Sequence, residues 1–190
     1  MAKLYARFAA MNAGKSTQLL QIEHNYKSNG RRVQLITAKV DDRFGSGRIT
    51  SRLGVSSIAA TFSAKTDMFL VVQQYWETTP QDKLGAILID EAQFLTGEQV
   101  RELHRAVHTF DVPVLCFLIR SDFQGMPFDG AAMLLTLAED IEEIKNVCSC
   151  GAKATMNMRV DAEGNRVRSG PQVLIGDATY RQVCGKCFYN

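Results

Sequence analysis

No stretch of this 190-residue sequence approaches the roughly 20 apolar residues that a helix needs to cross a bilayer. The opening "MAKLYARFAAMNAGK" has too short an apolar run for a secretory signal and leads straight into a Gly-Lys turn, so a cytoplasmic protein is expected. An excess of one charge is also missing. The formal net charge of +2 argues against a broad surface for nucleic acid or membrane. There is no internal repeat and no low-complexity tract, so neither a repeat array nor a disordered tail is expected. Cysteine is sparse: five residues, which in a cytoplasmic chain point to metal ligands or buried thiols before disulfides. What is present suits one globular domain with a small appendage.

Apolar patterning along residues 1–147 alternates between strand and helix. Strands are expected at 3–9, 31–40, within the apolar run 85–94, at 112–119 and at 142–147. Helices are expected at 15–29, 66–76, 96–110 and 133–141. Thr96, with Gln99 three residues on, reads as a capping box. Residues 41–54, rich in Gly, Ser and Arg, read as a loop. This alternation implies an α/β fold with a mainly parallel sheet covered on both faces. From Cys148 onward the sequence becomes turn-rich with short strands. Domains are therefore expected at 1–147 and 148–190.

The stretch "AAMNAGKST" (9–17) ends like a phosphate-binding loop, G-x-x-x-x-G-K-[ST], but Ala9 stands where the first glycine belongs. Gly14, Lys15, Ser16 and Thr17 lie where a strand turns into a helix. There, successive N–H groups and the helix N-terminus attract phosphate. Lys15 is expected on the β- and γ-phosphates and Ser16 on Mg²⁺. Alanine suffices at position 9 if its φ stays negative. At Gly14 a Cβ would crowd the phosphate. The expected ATP-binding set is Ala9, Ala10, Met11, Asn12, Ala13, Gly14, Lys15, Ser16 and Thr17, together with Asp90, Glu91, Ala92 and Gln93.

The run "AILIDEAQF" supplies the second nucleotide signature. Asp90, at a strand end, can serve Mg²⁺, and Glu91 can take a proton from an attacking oxygen. These residues alone do not name the acceptor. If Glu91 activates water, the chain is an ATPase, and "DEAQ" also resembles the acidic motif of helicases. If it activates a hydroxyl, the chain is a kinase. A helicase motor needs two such domains, and this chain has room for one. A third possibility is an interaction protein built on a vestigial nucleotide fold. Cys148 and Cys150 form C-x-C, and Cys184 and Cys187 form C-x₂-C. Four thiolates in two close pairs suit a tetrahedral, structural Zn²⁺ that closes the ends of the appended domain. The zinc is accordingly expected to matter for substrate gripping more than for the phosphate loop. Cys116, in "VLCFLI", reads as a buried apolar side chain.

Taken in order, the phosphate loop, "DEAQF", "RSDFQGMPF" and the cysteine segment resemble thymidine kinases of the cellular type, in their bacterial branch. The resemblance runs from about residue 4 to 188. It implies a RecA-like core with a C-terminal zinc-bearing lasso domain, and ATP, Mg²⁺ and structural Zn²⁺. It also implies thymidine as substrate (deoxyuridine as a possible second), thymidine triphosphate as feedback inhibitor, and a homotetramer. Glu91 becomes the base for the 5′-hydroxyl, and Arg43 an arginine near the transferred phosphate. Met11, Phe94, Ile119, Phe123 and Phe128 match the apolar residues around the base. Val173, Leu174, Ile175 and Gly176 match the lasso strand, and Tyr180 a tyrosine beside the sugar. "IGDAT" before Tyr180 is one residue shorter than in most members. Asn157 falls where many carry a threonine near the 5-methyl group.

Overall fold

Every central strand has two apolar faces, and the parity of each residue decides which layer it joins. The computed structural model describes residues 1–40, 47–174 and 179–190. Its elements are β1 (Leu4–Ala9), α1 (Lys15–Ser28), β2 (Arg32–Ala38), β3 (Arg48–Thr50), β4 (Ser56–Ile58), β5 (Ala60–Phe62), α2 (Met68–Thr78), β6 (Leu84–Ile89), α3 (Gly97–Phe110), β7 (Val114–Ile119), α4 (Asp129–Leu137), β8 (Asp140–Glu143), β9 (Met156–Val160), β10 (Thr179–Val183) and α5 (Gly185–Tyr189). Six strands form one sheet in the order β5-β2-β6-β7-β1-β8. All five pairings are parallel, so the expected mainly parallel sheet is wholly parallel.

On one face, Ala86 and Leu88 of β6 and Leu115 and Phe117 of β7 pack with Leu19 and Leu20 of α1. On the other, Ile87, Ile89, Val114, Cys116 and Leu118 pack with α2, α3 and α4 through Val72, Val100, Leu103 and Leu134. Cys116 is fully buried, and burial pushes its thiol pKa up, which fits an inert core residue. The capping box is present in full: Thr96 accepts from the Gln99 N–H at 3.1 Å, and Gln99 Oε1 accepts from the Thr96 N–H at 3.0 Å. Among the described residues, no helix is long and apolar enough to cross a membrane.

The sequence expectations fail in three places. α4 begins at Asp129, four residues before the expected start, and β8 correspondingly runs over 140–143. Tertiary contact explains the shift. Asp129 accepts the Gly97 N–H at 2.6 Å, and a Cβ on Gly130 would lie 2.4 Å from the Leu95 carbonyl oxygen. A glycine that reads as a helix breaker is here the residue that lets the first turn approach its neighbour. The β3–β4 hairpin and the edge strand β5 are each three residues long, too short to show a period.

Beyond β8, β9 and β10 form a separate antiparallel pair, with Tyr180 opposite Arg159 and Gln182 opposite Asn157. A small second core of Cys148, Ala154, Val183, Cys184 and Phe188 lies beneath it.

Candidate active site

Parallel strands bring the C-terminal ends of β1, β6 and β7 to one edge of the sheet, where open α/β sheets bind ligands. With β7 between them, the loop after β1 and the acids after β6 flank Ile119. Residues 11–17 line a cleft of about 780 Å³ together with residues 50–53, Glu91, Ile119 and Ile144. The expected loop at 41–54 thus contributes a wall in its described part. Arg43 lies outside the described residues.

Ala9 is the last residue of β1 and keeps strand geometry, so no glycine is needed there. Ala9 and Ala10 are buried at 3% and 5% exposure, beneath the loop. Gly14 has φ +83°, and a Cβ built on it meets no protein atom within 4 Å. Within the protein itself, glycine is required there by left-handed backbone and not by crowding. Asn12 shares the left-handed region at φ 64°, which asparagine tolerates better than most residues. Lys15 is buried, and its Nζ lies 3.5 Å from the Ala10 carbonyl oxygen.

Ser16 Oγ donates to Asp90 Oδ2 at 2.7 Å, joining the two nucleotide signatures directly. Burial pushes the Asp90 carboxyl up to about 6, and the Glu91 charge adds to the rise. The Ser16 hydroxyl and the Lys15 ammonium oppose it. Glu91 is in the left-handed region (φ 52°, ψ 38°) and donates its N–H to Asp90 Oδ1 at 3.0 Å. Gln93 is 2% exposed. Its amide donates to Glu91 Oε2 at 2.5 Å and accepts the Ile119 N–H at 3.2 Å. Gln93 therefore fixes the Glu91 carboxylate relative to the end of β7. Ala92 is fully buried in the core beside α4.

The apolar residues expected around a base are brought together only in part. Phe94 and Phe128 meet edge to face at 5.9 Å. Phe123 lies under the Arg159 guanidinium, 3.7 Å from carbon to ring centroid. Val173 and Leu174 are exposed, while Ile175 and Gly176 lie outside the described residues. Arg159, missed in the sequence, organises this region. Its Nη2 donates to Tyr180 Oη at 2.7 Å and to the Pro171 carbonyl at 2.9 Å, and Tyr180 Oη reaches the Leu174 carbonyl at 3.4 Å. Its one visible signal is a charge in the middle of the strand "MNMRV". Asp122 completes the frame, accepting from the Gln124 and Met126 N–H groups and from Gln172 Nε2 at 3.0 Å.

Asn157 is 2% exposed, and both ends of its amide are engaged. Oδ1 accepts the Met11 N–H at 2.7 Å, and Nδ2 donates to the Ser121 carbonyl at 2.9 Å. Asn146 Nδ2 donates to the Met11 carbonyl at 3.0 Å, and Asn12 Nδ2 to Gln182 Oε1 at 3.0 Å. The C-terminal segment thus grips the phosphate loop from the far side. The zinc is expected to matter more for substrate gripping than for the phosphate loop, and these bonds give it a route to the loop as well.

The four cysteine sulfurs lie within 4.8 Å of one another, with Cys150 and Cys184 at 3.6 Å. A tetrahedral Zn²⁺ with Zn–S near 2.3 Å needs sulfurs about 3.8 Å apart, so the residues fit the metal. Backbone N–H groups of Cys150 and then Cys184 lower the Cys148 thiol to about 6, while hydrogen bonds with the Cys150, Cys184 and Cys148 sulfurs push the Cys187 thiol up to about 12, so the metal-free cluster shares its protons unevenly.

A family model described as thymidine kinase matches residues 2–188. The chain is 53% identical to a thymidine kinase of Chromobacterium violaceum, with 100% of both chains covered. It is 50% identical to one of Albidiferax ferrireducens, covering 100% of this chain and 93% of that protein. It is 46% identical to one of Ruegeria pomeroyi, covering 98% and 93%.

Proposed function

The chain belongs to the thymidine kinase family, and from that membership we propose a role for each residue around the cleft. The enzyme transfers the γ-phosphate of ATP to the 5′-hydroxyl of thymidine. Glu91 is the general base. It takes the hydroxyl proton as the new O–P bond forms and the bond to the β-phosphate oxygen breaks, releasing ADP. Gln93 holds that carboxylate in place. Lys15 and the N–H groups of residues 11–17 hold the phosphates. Mg²⁺ would be held by Ser16 and Asp90 and would supply neutralising charge to the triphosphate. The observation that carries this reading is the Ser16–Asp90 bond at 2.7 Å with Glu91 next in the chain, at the cleft.

The thymine base is received by Phe123, Phe128, Ile119, Met11 and Phe94, with Val173 and Leu174 contributing from the lasso strand; its remaining expected members, Ile175 and Gly176, lie outside the described residues. Tyr180, held by Arg159, serves the sugar. Asn157 acts on the base site from behind, as the residue that positions Met11. Residues 148–190 form a lasso domain closed by Zn²⁺ on Cys148, Cys150, Cys184 and Cys187, and residues 1–147 form the nucleotide core. Deoxyuridine as a second substrate, feedback by thymidine triphosphate, a homotetramer and a cytoplasmic location belong to the same reading. The test is coupled ADP release with thymidine, deoxycytidine, single-stranded DNA and buffer alone. Release driven by thymidine is expected. Release driven by DNA and not by thymidine overturns the reading in favour of a nucleic-acid motor.

A further inference from the structure

A second cluster of metal-ligating side chains stands apart from both the cleft and the cysteines. α3 carries His104 and His108 one turn apart, so both rings lie on one face of the helix. Glu139 follows α4, in the short connection to β8. His104 Nε2 is 3.1 Å and His108 Nε2 2.6 Å from the same oxygen, Glu139 Oε1. The three ligand atoms lie within 4.8 Å of one another. The second oxygen, Glu139 Oε2, accepts the Leu4 N–H at 2.7 Å, so the carboxylate is oriented from behind by the main chain of β1. Metal-ligating carboxylates are commonly fixed in this way by an outer partner. The side chains are 34%, 39% and 29% exposed, which leaves room for water on an ion.

We propose that His104, His108 and Glu139 form a second metal site, for a borderline divalent cation such as Zn²⁺, Co²⁺ or Ni²⁺. Imidazole and carboxylate donors suit these ions, whereas Mg²⁺ and Ca²⁺ prefer all-oxygen sites. In the metal-free cluster the Nε2 protons are donated to Glu139 Oε1. The ion displaces them, and each imidazole then keeps one proton on Nδ1 and presents the Nε2 lone pair to the metal, the displaced protons passing to solvent. Three protein ligands leave at least one position open, unlike the closed four-sulfur site. The cluster meets β1 at Leu4, and the phosphate loop starts after Ala9 at the other end of that strand, about 16 Å away at ~3.3 Å per residue. The ion therefore takes no part in phosphoryl transfer. It pins α3 to the α4–β8 connection and to the first residue of β1.

The experiment uses the untagged full-length chain, dialysed at pH 7.5 against free Zn²⁺ at tens of micromolar, followed by elemental analysis. Two zinc ions per chain are expected in the wild type. His104→Ala and His108→Ala should each return the count to one, with affinity at the lost site reduced at least about tenfold and thymidine kinase turnover retained as evidence of folding. Cys184→Ser should lose the other ion and keep this one. In parallel, Ni²⁺ should raise the melting temperature of the wild type and not of either histidine variant. Zinc content that neither histidine substitution lowers, with Cys184→Ser removing whatever zinc is bound, overturns the proposal and leaves a hydrogen-bonded His–Glu–His cluster. A single zinc lost on histidine substitution and kept in Cys184→Ser overturns the cysteine site instead.

Discussion

Glu91 combines two costs, a left-handed backbone and a carboxylate beside the ionisable Asp90. A non-glycine residue there costs roughly 1–2 kcal/mol, and such strain gathers at functional sites. Glu91→Gln should therefore keep ATP binding and lower kcat by about 10²–10⁴-fold, measured by steady-state kinetics. Glu91→Gly should lose the same activity and raise the melting temperature; a lower melting temperature would contradict the strain. Asp90 has a folded-state pKa of about 6, above the ordinary value of 3.8. The ionised form thus disfavours the fold. Its stabilising contribution is complete below about pH 4 and is lost as pH rises through about 6. The Mg²⁺ proposed for Asp90 needs the ionised form, so on that proposal its affinity should fall about tenfold per pH unit below about 6. Isothermal titration across pH 5–7.5 checks the slope, and Asp90→Asn should abolish the dependence.

At the scale of elements, the tightest joints are made by small residues and amides. Gly130 lets α4 approach the turn after β6, with three carbonyl oxygens at 2.4–3.0 Å from a would-be Cβ. Gly130→Ala should cost roughly 1–3 kcal/mol as an overpacked site, read as a lowered midpoint in urea. A gain in stability would show that the backbone contact relaxes freely. Asn157 joins β9 to the phosphate loop and to the end of β7. Asn157→Ala leaves the part-buried Met11 N–H and the buried Ser121 carbonyl without their partner, at about 1–3 kcal/mol for the buried carbonyl and less for the N–H. If that penalty falls on loop geometry, KM for ATP should rise about 10-fold or more, together with KM for thymidine. A rise confined to thymidine would restrict Asn157 to the base side.

At the scale of the whole molecule, the sheet with its two packed faces meets the small C-terminal core at several joints, of which the phosphate loop is one and the Asn157–Ser121 and Gln172–Asp122 bonds are others. The four clustered cysteines all lie outside the parallel sheet, and the core of Cys148, Cys184, Val183 and Phe188 is small. A core that small is marginal alone and would lean on the zinc proposed for its cysteines. Through Asn157 and Gln182 the second core also touches residues 11 and 12. Cys184→Ser or Cys187→Ser should lose zinc and weaken both ATP and thymidine binding, with the α/β core retained by circular dichroism. Full ATP affinity in a zinc-free variant would show that the clamp holds without the metal.

Much of this was legible in the order of residues, because it is local. Strand and helix periods set β1, α1, β6, α3 and β7, the Thr96–Gln99 cap set a helix start, and Gly14-Lys15-Ser16 set the turn between β1 and α1 that we propose receives phosphate. The paired cysteines pointed to a shared cluster by spacing, and the fold brings their four sulfurs within 4.8 Å of one another. Other features depend on residues far apart in the chain that meet only when the sheet assembles. Placing β7 between β1 and β6 brings Ile119 under Gln93, and so aims Glu91. The β9–β10 pair sets Asn157 against Met11, 146 residues away, and Arg159 against Tyr180. The start of α4 at Asp129 was hidden for the same reason. Its glycine reads locally as a breaker, and only the carbonyls of residues 92–95 make it the one side chain that fits. Local periodicity fixes which segments fold, since it needs only neighbours; which polar groups are satisfied by which partners is decided by packing, since a buried amide accepts whatever the tertiary structure brings to it.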